Sequence, residues 1–350
     1  EIFYNIIRWK KRLEYYIGEG AKPNNIYRLI LAYLLWSETE YKKFEEFQGI
    51  KVADIITKLK KGTVPTKAFE HSIPDWLVET LEKELGENWE KEMIALNEQA
   101  PTILRANSLK TSTKHLIEEL KHENVESFQV PGFENAVQLE EKKNVFLTSA
   151  FKDGLFEVQD AGSQKIGEFL DVKPGMRVVD ACAGAGGKTL HLAALMENKG
   201  QIIAMDIHGW KLAELKRRAK RAGAHNIETR EITDNKVIKR LHEKADRLLI
   251  DAPCSGLGVL KRNPDSKWKI DQDFIDRIRK EQETILQDYS KIIKKGGKMV
   301  YATCSILPSE NNEQVENFLK NNPDFKLVKE EKVMPSTGFD GFYMALIERV

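Results

Sequence analysis

Hydrophobic positions in the first hundred residues recur at helical spacing. Leu77, Leu81 and Leu85 repeat every four residues, which places them on one face of a helix. Ile26, Leu29, Ile30, Tyr33 and Leu34 recur at spacings of three and four residues, and runs typical of strands are scarce in this part. We therefore predict a small helical domain over residues 1–100.

The pattern changes beyond residue 101, where short apolar runs are separated by turn residues. The segments that we predict here are a strand at 103–107, a helix at 113–121, and strands at 127–130 and 136–139. Pro131-Gly132 forms a turn signal between the last two strands. These segments predict a small α+β accessory module over residues 101–157, of a size suited to binding substrate.

After residue 158 short strands alternate with helices. The predicted strands are 177–182, 201–206, 227–232, 246–252, 298–303, 325–328 and 342–348. The predicted helices are 188–196, 209–222, 237–243, 271–294 and 309–320. This alternation is typical of an α/β domain, here 158–350, with a mostly parallel sheet between two layers of helices. Ligands of such sheets bind beyond the carboxyl ends of the strands.

Composition excludes several classes of protein. The 350 residues are 41% hydrophobic and 31% charged, an ordinary globular balance, and no apolar run reaches the ~20 residues of a membrane helix. The chain has three cysteines, an odd number without framework spacing, which predicts reduced thiols and a cytoplasmic location. No Cys-x-x-Cys pair or His cluster occurs, so we predict no metal site.

The net charge is only +1, but basic residues are concentrated in one predicted helix. The cluster comprises Lys211, Lys216, Arg217, Arg218, Lys220 and Arg221. Such a run forms either an electrostatic footprint for phosphates or a solvated helix face. The sequence alone leaves both interpretations open.

A glycine-rich turn after the first strand of the α/β domain predicts a cofactor site. Its candidate binding residues are Cys182, Ala183, Gly184, Ala185, Gly186, Gly187 and Lys188. Glycines allow a sharp turn close to a ligand, and the following helix offers free N–H groups. Asp206 ends the next strand, where a carboxylate can bind ribose hydroxyls.

The turn matches neither a phosphate loop nor a Gly-x-Gly-x-x-Gly fingerprint. S-adenosylmethionine fits better, because it has a ribose for Asp206 and no phosphates. Asp234, after the third strand, could meet its adenine or could instead cap the following helix. Asp251, at the end of the fourth strand, would lie near the sulfonium.

Two cysteines follow neighbouring predicted strands, Cys254 after Asp251 and Cys304 after Thr303. Carbon-5 of a pyrimidine is too weak a nucleophile to accept a methyl group directly. Addition of a thiolate to carbon-6 makes it reactive, and other groups must then stabilise the ring and remove a proton. Asp251, Lys188 and the two cysteines supply this set. For Cys182 we favour a small buried side chain.

These motifs resemble the RsmB/Sun RNA cytosine-5 methyltransferases. The resemblance rests on the following segments: 180–189, Asp206, Asp251-Ala252-Pro253-Cys254-Ser255-Gly256, 261–268, Thr303-Cys304-Ser305, Glu310-Asn311, 105–110, 156–163 and Asp340-Gly341-Phe342-Tyr343. It extends over residues 102–350. The start of the chain, with Ile7-Arg8-Trp9-Lys10, resembles a shortened NusB-like domain.

The resemblance implies a Rossmann-like domain that uses S-adenosylmethionine. It implies that Cys304 is the nucleophile, that Cys254 assists release of the product, and that Asp251 contacts base and cofactor with Lys188 nearby. It also implies that residues 182–188, Asp206 and Asp234 hold the cofactor. One departure is that the family's Ala-Pro-Gly-Gly-Lys is here Gly184-Ala185-Gly186-Gly187-Lys188, and loss of the proline should loosen the loop.

The implied substrate is RNA, in single-stranded form or with the cytosine flipped out. We expect Lys261, Arg262, Arg105 and Gln159 to contact it, although Arg262 could instead bind the cofactor carboxylate or form a structural ion pair. Small-subunit ribosomal RNA is the expected target, with transfer RNA as an alternative. We expect a monomer.

Three rival interpretations remain at this stage. A DNA cytosine-5 methyltransferase would use Cys254 as the attacking thiol. A non-catalytic RNA-binding assembly factor would keep the fold without turnover, but it has no need of two positioned thiols. A small-molecule methyltransferase would leave the first 157 residues without a role.

Overall fold

A computed structural model describes residues 2–18, 26–42 and 45–350. The chain forms two compact units, Glu1–Gln99 together with Val259–Phe274, and Ala100–Gly258 together with Ile275–Val350. Residues 259–274 thus belong with the helical unit, whereas the sequence predicted an uninterrupted domain over 158–350. Within the described parts of the chain, none of the helices has both the length and the apolar character needed to cross a membrane.

The first unit is helical in its described residues, as predicted. Its helices are α1 (Ile2–Arg8), α2 (Lys10–Ile17), α3 (Ile26–Trp36), α4 (Val52–Lys61), α5 (Lys67–Glu70), α6 (Asp75–Leu85) and α7 (Trp89–Leu96). Leu13 and Leu29 are buried in the core that α2 and α3 share, where Ile55 of α4 joins them. Leu77 and Leu81 are also fully buried, so the four-residue spacing marks the inner face of α6.

Residues 259–274 are tied to the first helices by hydrogen bonds. The indole Nε1 of Trp268 donates to the carbonyl of Ile7 over 2.8 Å, and Nζ of Lys267 donates to the carbonyl of Arg8 over 2.9 Å. Burial lowers the pKa of Lys267 to about 7, and the charge of Arg8 acts in the same direction. This segment therefore has a structural role in the unit.

Lys261, which was expected to contact RNA, is buried in this structure. Lys261 is only 3% exposed, its Nζ lies 3.9 Å from a carboxylate oxygen of Glu98, and its carbonyl accepts a hydrogen bond from Arg8. Arg262 is half-buried. The contacts of Lys261 and Arg262 with RNA stay predictions.

The second unit begins with a four-stranded antiparallel sheet in the order β2-β3-β1-β4. Its elements are β1 (Ile103–Ala106), α8 (Thr113–His122), β2 (Ser127–Gln129), β3 (Ala136–Leu139), α9 (Ser149–Lys152) and β4 (Phe156–Val158). Helix α8 begins at a cap in which Ser112 accepts from the N–H of His115. The predicted accessory module is therefore present, with β4 as an additional strand.

A seven-stranded sheet follows, in the order β10-β11-β9-β8-β5-β6-β7. Its strands are β5 (Arg177–Asp180), β6 (Gln201–Asp206), β7 (Ile227–Glu231), β8 (Ala245–Asp251), β9 (Ile293–Thr303), β10 (Phe325–Val333) and β11 (Phe342–Arg349). The five strands from β9 to β7 are parallel, and β11 and β10 add an antiparallel edge. The Rossmann-like prediction is confirmed.

Continuous apolar runs account for the buried strands of this sheet. Residues 248–250 and 299–301 are completely buried, as expected of parallel strands covered on both faces. The helices of this part are α10 (Ala161–Phe169), α11 (Gly187–Leu195), α12 (Gly209–Ala222), α13 (Asn235–Lys239), α14 (Gln272–Tyr289) and α15 (Asn312–Asn321). The order of strands reverses between β5 and β8, which is where a ligand site is expected.

Helix α10 was not predicted, although its start carries a signal. The side chain of Asp160 accepts a hydrogen bond from the N–H of Gly162 over 2.8 Å, which is an N-cap. Seven of the nine residues of α10 are buried, so only Lys165 and Glu168 form its narrow polar face. Strands β9 and β10 also extend beyond their predicted bounds, because lysine-rich ends of strands do not show the apolar pattern.

The accessory module is joined to α12 by a buried carboxylate. Glu157 of β4 has a side chain only 4% exposed, which pairs with Arg218 over 2.9 Å and with Arg221 over 2.5 Å. The guanidinium of Arg221 also lies 3.8 Å from the ring centroid of Phe151. Two of the basic residues of α12 are therefore structural, and Lys216, Arg217 and Lys220 are exposed.

We predict that Glu157→Gln destabilises the second unit by about 2 kcal/mol, because it leaves two partly buried arginines without their counter-charge. Urea unfolding followed by circular dichroism measures the change. Glu228→Gln is the matched control, since Glu228 pairs with Arg230 at a surface where its side chain is 43% exposed, and its loss should cost less than about 1 kcal/mol. Equal losses in the two variants would contradict the prediction.

Candidate active site

The glycine-rich turn between β5 and α11 forms one side of the site. Gly186 has φ of +87°, and a Cβ at this position would lie 2.5 Å from Cγ of Leu215. Only glycine combines that backbone conformation with such a close approach. Helix α11 therefore begins immediately after it, with its free N–H groups at the site.

Two arginines hold the carbonyl groups of this loop. Arg105 of β1 donates through Nη1 to the carbonyl of Gly187 over 2.8 Å, and Arg218 of α12 donates to the carbonyl of Ala185 over 2.8 Å. These bonds fix the loop from both sides, which compensates for the proline that the sequence lacks.

Arg105 and Gln159, which were expected to contact RNA, are buried beside the cofactor loop, and their contact with RNA stays a prediction. Arg105 is 2% exposed and Gln159 is 8% exposed, and Nη1 of Arg105 donates to Oε1 of Gln159. Burial lowers the pKa of Arg105 to about 9, against the opposing charge of Glu157. Both side chains support the cofactor loop from the accessory module.

A cavity of about 280 Å³ opens beside the loop at the carboxyl ends of the strands. Its lining residues are Ala181, Cys182, Gly184, Asp206, Ile207, His208, Lys211, Ile232, Asp251, Pro253, Glu281, Ile285 and Tyr289. The carboxylate of Asp206 accepts from the N–H of Gly184 over 2.9 Å and from the N–H of His208 over 2.8 Å. These two bonds orient the carboxylate and leave it capacity for further donors.

The lining fits S-adenosylmethionine. Asp206 offers acceptors for the two ribose hydroxyls, and Ile207 and Ile232 supply apolar surface for a flat purine ring. Asp251 and Glu281 bring negative charge to a cavity whose expected ligand carries a sulfonium cation. The cavity thus combines apolar walls with a few convergent polar groups, as small-molecule sites do.

Asp234 caps a helix, as one of its two interpretations expects. Its side chain accepts from the N–H of Lys236 over 2.7 Å at the start of α13. Asp234 is exposed and is not among the described residues that line the cavity. Its contact with the cofactor stays a prediction.

The two predicted thiols lie in contact. Sγ of Cys254 and Sγ of Cys304 are 3.3 Å apart, at the ends of β8 and β9, which pair in parallel. Hydrogen bonding to Cys304 raises the pKa of the Cys254 thiol well above its ordinary value, and burial acts in the same direction. The sequence prediction that both cysteines reach one edge of the sheet is therefore confirmed.

Lys188 and Asp251 form an ion pair beside the thiols. Nζ of Lys188 lies 2.7 Å from Oδ2 of Asp251, and their side chains are 14% and 28% exposed. Burial acts to lower the pKa of Lys188, but the charge and hydrogen bond of Asp251, with the charges of Cys304 and Asp180, together outweigh it and raise the pKa. The ammonium of Lys188 therefore lies within electrostatic reach of Cys304.

Several lining residues were missed from the sequence. Glu281, Ile285 and Tyr289 follow one another at four-residue spacing on α14, a pattern that shows a common helix face but not what it faces. Ile207 and His208 directly follow Asp206, so the available signal was their position next to a residue predicted to bind the cofactor. Among the described residues, no three His, Cys, Asp or Glu side chains are grouped to hold a metal ion.

Comparison with known proteins identifies the family. A family model described as 16S rRNA methyltransferase RsmB/F matches residues 168–347. The chain belongs to this family. A second model, for a ferredoxin-like domain of RsmF/B-like methyltransferases, matches residues 73–146, which include most of the accessory module.

Curated relatives of the RsmB/F family are similar over most of this chain. A probable ribosomal RNA small subunit methyltransferase B of Synechocystis is 36% identical over 82% of the chain and 63% of its own length. Its counterpart in Proteus mirabilis is 33% identical over 79% of the chain and 65% of its own length. The chain therefore spans about two thirds or less of these relatives.

Solved structures share the fold over the whole chain. The protein PH0851 superposes with a TM-score of 0.86 at 27% identity, over 99% of this chain and 89% of its own. A methyltransferase homologue from Pyrococcus horikoshii superposes with a TM-score of 0.72 at 27% identity, over 81% of this chain and 98% of its own. The RsmB/F architecture thus extends beyond the α/β sheet.

A buried acid beneath the loop predicts a pH dependence of stability. Burial raises the pKa of Asp180 to about 7, helped by the charge of Asp251 and opposed by the hydrogen bond from Thr189. Because an unfolded aspartate titrates near pH 4, the folded state binds the extra proton between about pH 4 and 7. The contribution of Asp180 to the free energy of unfolding should therefore fall as the pH rises through this window and level off above it.

The variant Asp180→Asn keeps a hydrogen-bond acceptor for Thr189 and removes the titratable carboxyl group. The difference between wild-type and variant unfolding free energies, from urea titrations at pH 5, 6, 7 and 8, should change by on the order of a few kcal/mol across the series. Parallel profiles would show that Asp180 ionises in the folded protein as it does in water.

Proposed function

We propose that this protein is an RNA cytosine-5 methyltransferase that transfers a methyl group from S-adenosylmethionine to a cytosine of small-subunit ribosomal RNA. The observation that carries the proposal is the contact of two thiols, 3.3 Å apart, next to the Lys188–Asp251 pair and the cavity that Asp251 lines. The names of the relatives, ribosomal RNA small subunit methyltransferase B, support the choice of RNA.

The thiol pair suits a covalent route. In our proposal Sγ of Cys304, as a thiolate, adds to carbon-6 of a cytosine that has left its stack. The ring electrons shift to carbon-5, and the ammonium of Lys188 offsets negative charge that develops nearby, while Asp251 holds the base. Carbon-5 can then accept the methyl group from the cofactor, whose sulfonium becomes a neutral thioether.

Release regenerates the free thiol. The proton on carbon-5 passes to solvent water, the electrons of its C–H bond form the double bond between carbon-5 and carbon-6, and Sγ of Cys304 leaves carbon-6 as a thiolate. Cys254 assists this step, because its thiol touches the sulfur that has to leave. The two cysteines therefore act on opposite halves of the same reaction.

We predict opposite consequences for removal of each thiol. Cys304→Ala should abolish both methyl transfer and the covalent enzyme–RNA adduct, since it removes the nucleophile. Cys254→Ala should accumulate the adduct and slow release by at least about a hundredfold. Denaturing gels of enzyme incubated with labelled RNA and S-adenosylmethionine measure the adduct.

Each variant controls for the other, since each removes one sulfur of the same pair. If Cys304→Ala still forms the adduct and Cys254→Ala does not, the two roles are reversed and the DNA-methyltransferase pattern applies. Tritiated methyl transfer to 16S ribosomal RNA, transfer RNA and DNA of the same sequence tests the substrate. Absence of transfer to all three would favour an RNA-binding factor, and bisulfite sequencing would locate a modified cytosine.

A further inference from the structure

A single carboxylate binds both of the loops that carry the thiols. Glu310 is completely buried. Its Oε1 accepts from Oγ of Ser255 and from Oγ of Ser305, each over 2.5 Å. Its Oε2 accepts from the N–H of Ser255 over 2.8 Å and from Nε2 of Gln282 over 3.0 Å. We call Glu310 and these three partners the Glu310 clamp.

The clamp acts directly on the reactive cysteines, because Ser255 follows Cys254 and Ser305 follows Cys304 in the chain. Gln282 extends it to helix α14 and also donates to the carbonyl of Pro253 over 2.9 Å. Each thiol is therefore one residue from a group that is bonded to the same carboxylate. The carboxylate therefore links the two loops directly.

The hydrogen bonds of the clamp are of the strong kind. A hydroxyl-to-carboxylate distance of 2.5 Å is typical of O–H···O⁻ bonds, which are about twice as strong as neutral ones. All four donors are neutral groups, so they orient the carboxylate without cancelling its charge. A negative charge is thereby buried behind the thiols.

We propose that Glu310 is a positioning residue that fixes the two thiols in contact and places a buried carboxylate beside the loop of Cys254. The proposal rests on the proposed function for the roles of the thiols. It adds the group that links the loops of the two cysteines.

Charged groups surround the two thiols. For Cys254, hydrogen bonding to Cys304 is the first cause of its raised pKa, followed by burial, the charge of Cys304 and the charge of Glu310. The charged groups near Cys304 include the ammonium of Lys188, which its partner Asp251 holds. Glu310 thus acts on Cys254, and through Ser305 it is bonded to the loop of Cys304 as well.

The variant Glu310→Gln removes the charge of this side chain and keeps its shape. The amide can point its oxygen at the N–H of Ser255 and at Gln282, and its NH₂ at the two serine hydroxyls, which can rotate to accept. The variant should therefore keep the bonds of the clamp and lose only its charge. Glu313→Gln, at an exposed position on α15, is the matched control for loss of one carboxylate.

The first experiment needs no RNA and does not depend on the proposed reaction. The pH dependence of alkylation of Cys254 by iodoacetamide is followed by mass spectrometry in the full chain carrying Cys304→Ala. Adding Glu310→Gln should move the profile down by about one pH unit, because loss of a nearby negative charge favours the thiolate. Glu313→Gln should leave it in place. An unchanged profile with Glu310→Gln would overturn the electrostatic role.

The second experiment tests the positioning role with the variant Ser305→Ala. This variant removes the hydrogen bond from Ser305 to Glu310 and keeps the carboxylate. In single-turnover reactions it should slow release of methylated RNA about tenfold relative to formation of the adduct, with KM for RNA unchanged and the alkylation profile unmoved. An unchanged ratio of the two rates, or a loss that appears only in KM, would overturn the positioning role. If the wild-type protein methylates no RNA, the proposed function fails. The alkylation profile then still shows whether the charge of Glu310 acts on Cys254.

Discussion

The parallel pairing of β8 with β9 is the constraint on which the candidate site depends. The register places Asp251 opposite Ala302, so the chain leaves both strands at the same level of the sheet and delivers Cys254 and Cys304 together. One residue of a strand advances by about 3.3 Å, which equals the separation of the two sulfurs. A slip of one residue would therefore be enough to separate the thiols, and the fully buried residues of both strands oppose such a slip.

The cofactor side of the site depends on a different connection. The loop after β5 is held through its carbonyl groups by Arg105 and Arg218, and Arg218 is held in turn by Glu157. Arg105 and Glu157 both come from the antiparallel sheet that precedes the α/β domain. That sheet is therefore part of the cofactor site's framework, in addition to any contact that it makes with RNA.

The sequence was informative wherever a local pattern has a direct structural cause. Apolar runs marked the buried strands, and the acids and thiols just beyond them came together because parallel strands end at one edge. The burial of Arg105 and Lys261 could not be predicted for the opposite reason. Their partners are 82 and 253 residues away, and a basic side chain in sequence carries no sign that a distant segment will bury it. Helix α10 is short and mostly buried, so its pattern is less distinct than that of a long surface helix.

Chemical identity alone cannot assign different roles to two cysteines, since both follow parallel strands and both lie in turns. The asymmetry comes from what surrounds each thiol. Lys188 is a buried ammonium with a single carboxylate partner, so positive charge persists on the side of Cys304. Glu310 has only neutral donors and bonds to the loops of both cysteines, so it holds the two sulfurs, 3.3 Å apart, as a pair. In the proposed function Lys188 is then the group that distinguishes Cys304 from Cys254.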